Sequence, residues 1–176
     1  MKSKENIVFL GMMGSGKSSI GYLVSKKLKL NFIDIDQVIE DKLQMTISEI
    51  FQIKGEKFFR NFEQKITLKL LKKERTIISL GGGAFINPKI REEILKNHFS
   101  FWLKWTSKTL IKRIQNSPKR PISYKASQNE LINLIKKRSN IYSRANYKIN
   151  CENLSKNEIV NKVINIFKHT PLLYFE

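Results

Sequence analysis

Apolar residues along this chain alternate between two spacings. Short runs rich in apolar residues at 7–10, 32–35, 76–80, 100–105 and 147–151 read as strands, the first of them apolar throughout. Between them, apolar positions recur every three or four residues. The first such stretch, residues 17–29, sets Ile20, Leu23, Val24 and Leu28 on one helical face. A short helix is expected at about 37–44, and Thr46-Ile47-Ser48-Glu49 is a capping box that opens another at 47–54. Gly55 breaks that pattern ahead of a long amphipathic helix over 56–74. Asn87 followed by Pro88 starts a helix reaching about Asn97, and Ser107 caps one reaching about Gln115. Residues 128–144 are helical again, and a second capping box, Ser155-Lys156-Asn157-Glu158, opens a final helix to about His169.

Strands built on short apolar runs and separated by helices belong to a parallel sheet covered on both faces. The expected fold is α/β, a three-layer sandwich around a five-stranded parallel sheet, in a single domain over residues 1–176. Residues 116–127 stand apart: they hold Pro118, Pro121, serines and basic residues, with no apolar period. A loop of that length is unusual in a compact domain and is expected to act as a lid.

Composition removes several function classes. With 176 residues, 41% hydrophobic and 27% charged, the chain can bury a core and is not disordered. A single cysteine, Cys151, excludes a disulfide framework and a cysteine-built zinc site, and two histidines leave little for a histidine-built metal centre. No apolar run approaches the ~20 residues needed to span a bilayer. The N-terminal apolar stretch is cut short by Gly11 and Lys17, so no secretory signal and no membrane association are expected, and the location expected is the cytoplasm.

The formal charge of +18 suggests a polyanion partner. Its make-up suggests otherwise. Of the 33 basic residues 26 are lysine, and isoleucine (24) and asparagine (15) are abundant too; all three have codons built from A and T alone. The lysines are also dispersed, with no block. In such a chain each of the seven arginines is a better marker of a site that needs a planar, bidentate group.

Gly11-Met12-Met13-Gly14-Ser15-Gly16-Lys17-Ser18 fits the phosphate-loop pattern G-x-x-x-x-G-K-[ST] in full. A chance match in a chain of this composition has odds of roughly one in 170, and the loop also follows a predicted buried strand and opens a predicted helix. Glycines let successive backbone N–H groups turn onto a phosphate, and the helix N-terminus adds positive charge. Gly14, Ser15, Gly16, Lys17, Ser18 and Ser19 are therefore the expected ATP-binding residues, with Lys17 on the β/γ oxygens and the Ser18 hydroxyl on Mg²⁺.

The loop alone does not name the phosphoryl acceptor. No Asn-Lys-x-Asp motif for guanine is present. Asp34 and Asp36 flank Ile35 at the carboxyl end of the second strand, where open parallel sheets bind ligands. Alternation along the strand would set both carboxylates on one side, one toward Mg²⁺ and one toward an acceptor hydroxyl. Arg60 and Glu63 are i, i+3 neighbours, open to reading as a surface ion pair. Gly81-Gly82-Gly83 follows the third strand and allows close backbone approach, or is a plain flexible turn. Arg113 and Arg120 surround the long loop, and Arg138 and Tyr142 lie one helical turn apart beyond it.

Taken in order and at consistent spacing, these elements resemble the shikimate kinase family. The resemblance rests on the loop over residues 11–18, Asp34-x-Asp36-x-x-Ile39-Glu40, Gly55-Glu56-x-x-Phe59-Arg60-x-x-Glu63, Leu80-Gly81-Gly82-Gly83, Arg120-Pro121 and Arg138-x-x-x-Tyr142. It implies a P-loop fold like that of nucleoside monophosphate kinases, and transfer of the ATP γ-phosphate to the 3-hydroxyl of shikimate. It further implies that Asp36 holds that hydroxyl, and that Arg60, Arg138 and the Gly82 backbone bind the acceptor. Asp34 would sit in the Mg²⁺ shell beside Ser18. Lys17, Asp36 and Arg120 would serve catalysis, with Arg120 closing from the lid and Arg113 lying against adenine. The partners implied are ATP and a small carboxylate-bearing polyol, acting on a monomer. The lid carries Ile122 where the family often has leucine, and residues 152–157 lack the proline often found near adenine, leaving Lys156 or Ser155 to serve there. The rivals are a gluconate or nucleotide kinase of the same group, and a basic nucleic-acid-binding protein. The latter would need exposed aromatics, whereas Trp102 and Trp105 fall on a predicted buried strand.

Overall fold

The structure, a computed structural model, describes residues 6–115 and 127–170. Five strands form one parallel sheet: β1 (Ile7–Leu10), β2 (Asn31–Asp34), β3 (Thr76–Ser79), β4 (Phe99–Lys104) and β5 (Tyr147–Asn150), in the order β2-β3-β1-β4-β5. The strand order turns back on itself at β1, which pairs with β3 on one side and β4 on the other. Ligands of open α/β sheets bind beyond the carboxyl ends of the strands at such a reversal.

The continuous apolar run of the central strand β1 has the reason expected of it, burial on both faces. In β1, Val8 and Leu10 enter one core, and Ile7 and Phe9 the other. The second core is closed by α1 (Lys17–Leu28), through Ile20 and Val24, and by the last helix, α8 (Lys156–His169), through Val160 and Val163. The first is closed by α2 (Ile35–Leu43), α3 (Ile47–Ile53), α4 (Gly55–Leu71), α5 (Pro88–Asn97), α6 (Ser107–Gln115) and α7 (Gln128–Tyr142). Asn6, buried at the start of β1, ties three segments together: its amide donates to Leu71 O and Lys73 O, and its side-chain oxygen accepts from Thr76 N–H.

Element ends moved where a side chain captured the backbone. β2 stops at Asp34 because the Asp34 carboxylate accepts from Asp36 N–H and Gln37 N–H and starts α2 one residue later. Ile35 and Asp36 are thus in a helix rather than in, or just past, a strand. Asn87, Thr46 and Ser155 cap as their sequence signals predict. A short 3₁₀ turn, Ala84–Ile86, follows the three glycines without any sequence signal of its own. The predicted lid, residues 116–127 with Arg120, lies outside the described residues except for Ser127, which caps α7.

Candidate active site

The phosphate loop joins β1 to α1 and needs its glycines. Gly11, Gly14 and Gly16 have φ of +138°, +78° and +89°, a region disfavoured for other residues. Gly16 starts α1 with no capping side chain and no acid in the first turn, whereas α2, α3, α5, α7 and α8 are all capped by a side chain. The first N–H groups of α1 therefore remain to meet an anion. Lys17 is buried and donates from Nζ to Gly11 O at 2.9 Å and Met12 O at 3.0 Å, which holds it along the loop. Ser15 closes the loop on itself, its N–H donating to Met12 O at 3.1 Å.

A cavity of about 240 Å³ opens from this loop. Lys17, Ser18 and Asp34 line its loop end; Asp36, Arg60, Glu63, Gly82 and Arg138 line the rest, with Phe51 and Phe59 supplying an apolar wall. Asp34 reaches it from the end of β2. One carboxylate oxygen is spent on capping α2, while Ser18 Oγ lies 3.5 Å from Ser79 Oγ. A hydroxyl and a carboxylate beside a phosphate cradle are the hard oxygen donors that Mg²⁺ takes, with phosphate and water oxygens completing the shell.

The three glycines act through what they leave out. A Cβ on Gly81 would lie 2.5 Å from Asp36 Oδ1 and 2.6 Å from Glu63 Oε1; one on Gly83 would lie 2.6 Å from Arg60 Nη1. Gly81 is thus the point on which two carboxylates converge, and Gly83 is the seat of a guanidinium. The close approach that the sequence suggests for a ligand is taken up, at both positions, by the protein's own charged groups. Gly82 turns its carbonyl to Tyr142 OH, which donates to it, and to Arg138 Nη1 at 3.4 Å. Tyr142 is fully buried, which pushes its hydroxyl up to about 12 and keeps it a donor.

Arg60 donates from Nη1 to Glu63 Oε2 at 2.8 Å and from Nε to Glu56 at 3.3 Å, and lies over the rings of Phe59 and Phe51. The surface-ion-pair reading of Arg60 and Glu63 fails, because the Glu63 side chain is only 3% exposed. The signal was available: Glu63 stands between Phe59 and Ile66 on the buried face of α4. Burial holds the Glu63 carboxyl above its usual range, against the pull of Arg60, and its Oε1 makes no hydrogen bond among the described residues. Asp36, half-buried at the cavity, is pushed up to about 7, first by burial, then by the Glu63 and Asp34 carboxylates, with Lys17 opposing. Arg138 lines the same cavity; among the described residues no carboxylate lies within ion-pair distance of it, though its charge is felt by Glu63.

Of the remaining predicted residues, Arg113 is exposed and stacks on Trp105, its guanidinium carbon 3.7 Å from the ring centre. Trp105 corrects an expectation. Only Trp102 lies on β4 and is buried; β4 ends at Lys104, and Trp105 is half-buried beyond it because the chain turns there into α6. In the segment expected to wall adenine, Glu152 accepts from Thr106 N–H and Thr109 Oγ, while Ser155 caps α8.

A triphosphate seated on the loop would end at a compartment of small-molecule size that presents a carboxylate and two guanidinium groups. Fold and compartment together define a P-loop kinase with a small-molecule acceptor. Known proteins narrow this further. The family described as shikimate kinase matches residues 13–168. A shikimate kinase of Bartonella quintana is 43% identical over 92% of this chain and 77% of its own length, and one of Bacillus subtilis is 39% identical over 94% and 90%. Among solved structures, a shikimate kinase of Aquifex aeolicus superposes with a TM-score of 0.84 at 30% identity, covering 93% of this chain and 96% of that one. A shikimate kinase of Acinetobacter baumannii in complex with shikimate superposes with a TM-score of 0.88 at 26% identity, covering 93% of both chains. The chain belongs to the shikimate kinase family and is an ATP-dependent kinase.

Proposed function

We propose that this enzyme transfers the γ-phosphate of ATP to the 3-hydroxyl of shikimate, giving shikimate 3-phosphate and ADP, a step in chorismate and aromatic amino acid biosynthesis. The observation that carries the reading is one cavity with Lys17 and Ser18 at one end, Arg60 and Arg138 at the other, and Asp36 among them. Loop N–H groups, the α1 N-terminus and Lys17 hold the β- and γ-phosphates. Arg60, set by Glu63 and seated on Gly83, and Arg138, set by the Gly82 carbonyl, grip the acceptor carboxylate as forks. Asp36 accepts a hydrogen bond from the acceptor hydroxyl and takes its proton as the oxygen bonds to the γ-phosphorus and the bond to the β-phosphate oxygen breaks.

Ser18 and Asp34 are the residues suited to hold Mg²⁺, which when bound neutralises developing phosphate charge. Arg113 lies against adenine, and Arg120 supplies a further cation to the phosphates. The acceptor pocket is sized for a small molecule rather than for a nucleic-acid strand, and the enzyme acts as a monomer. No helix among the described residues is long and apolar enough to cross a membrane, and the ATP requirement supports a cytoplasmic setting. The deciding experiment is a coupled ADP-release assay with shikimate, gluconate and nucleoside monophosphates as acceptors. Shikimate-dependent turnover is expected, and turnover with gluconate or a monophosphate in its place would overturn the assignment.

A further inference from the structure

The Arg113 guanidinium lies over the Trp105 ring beside the phosphate loop, and each side chain donates to that loop. Trp105 Nε1 donates to Ser15 O at 2.9 Å, and Arg113 Nη1 to Gly14 O at 3.4 Å. Two stacked groups thus hold two successive loop carbonyls. In a planar trans peptide the carbonyl of one residue and the N–H of the next point in opposite directions. The peptide between Gly14 and Ser15 is therefore held at both ends, by Arg113 at its carbonyl and by Met12 O at its N–H. The peptide between Ser15 and Gly16 is held at its carbonyl by the indole, which directs the Gly16 N–H away from the clamp, toward the cradle at the start of α1. Gly16 has no side chain and adopts φ +89°, so its own residue type fixes this plane poorly.

We infer that Trp105 is a positioning residue for nucleotide binding: its indole N–H sets the peptide plane that presents the Gly16 N–H to phosphate. This rests on the reading of the loop as the nucleotide site. Trp105 also packs against both cores, so its ring and its N–H have separable roles. Trp105→Phe keeps an aromatic stack for Arg113 and removes the donor.

The experiment compares wild type and Trp105→Phe by calorimetric titration of ADP, by KM for ATP and for shikimate, and by thermal melting. Expected for the variant are about three- to tenfold weaker ADP binding and a matching rise in ATP KM, the size of one neutral hydrogen bond. The shikimate KM should stay at the wild-type value, while the smaller ring lowers the melting temperature modestly. Wild-type ADP affinity in the variant overturns the inference. So does a loss shared equally by ADP, shikimate and thermal stability, which would mark Trp105 as packing alone. No ADP binding by the wild type would instead overturn the nucleotide reading itself. Should Trp105→Phe fail to fold, benzothienylalanine placed at position 105 replaces the indole N–H by sulfur in the same shape, and the same outcomes apply.

Discussion

The two ends of the cavity are built in opposite ways. The phosphate end comes almost entirely from one stretch, residues 7–18, where a strand, a glycine turn and a helix start follow one another. Its chemistry is local backbone chemistry: glycine torsions and an uncapped helix. The acceptor end is assembled from four separate places, Asp36 at the start of α2, Arg60 and Glu63 on α4, the glycines after β3, and Arg138 with Tyr142 on α7. It is held by side chains packed against other segments' glycines. A local site tolerates distant change, whereas an assembled one depends on each contributor leaving room for the rest. The two ends touch where a Cβ on Gly82 would lie 3.2 Å from Met13 N.

The largest expected effect falls on the phosphate end. Lys17→Ala should lower turnover by about 10³-fold or more, with the fold intact by circular dichroism. Turnover near wild type would remove Lys17 from catalysis.

Asp36→Asn tests the junction of the two ends. Single-turnover phosphoryl transfer should fall by about 10²–10⁴-fold, with ADP affinity little changed. In the wild type the base must be ionised, so kcat/KM for the acceptor should drop as pH falls below about 7. Stability should run the other way. The folded-state value lies above the ordinary 3.8, so the contribution of Asp36 is favourable at pH below about 4 and is lost as pH rises through about 7. Asp36→Asn should therefore melt higher than wild type at pH 8, by on the order of 5 °C, with the gap closing toward pH 5. Equal melting at both pH values would mean that burial and the Glu63 carboxylate do not strain Asp36.

Gly81→Ala sharpens the contrast between the ends. The added methyl meets Asp36 and Glu63 oxygens at the tips of side chains, so the fold can adjust by moving them. Acceptor kcat/KM should fall by roughly 10²-fold, the cost of misplacing a reacting group by about an ångström, while ADP affinity holds. A parallel loss of ADP binding would mean the two ends are one unit.

The smallest effect separates a fork from a field. Arg60→Lys and Arg138→Lys keep the charge of +18 and lose the planar pair of donors. Shikimate KM should rise about tenfold with ATP KM unchanged. Lys162→Glu on the exposed face of α8, which alters net charge more, should do little. Equal damage from Lys162→Glu would show that the overall field holds the acceptor.

Much of this molecule was legible beforehand because its signals are local. Short apolar runs alternating with helical periods required helices on both faces of a sheet, the capping boxes at Thr46 and Ser155 placed helix starts to the residue, and the phosphate loop carried its chemistry in its own torsions. Scarce arginines in a lysine-rich chain pointed to Arg60, Arg113 and Arg138, which line the cavity or flank the loop. Only the tertiary structure decided the rest. Periodicity could put Glu63 on the apolar stripe of α4, but not say that Gly81 leaves its carboxylate facing Asp36. Trp105 was expected on the buried fourth strand, yet one residue past the end of β4 it turns its N–H to the Ser15 carbonyl of the loop. The physical reason is the same in each case. Backbone torsions, caps and hydrophobic periods act between near neighbours in the chain. The energy of a buried charge or the aim of a peptide plane depends on groups many residues away, which only the packed sheet brings within reach.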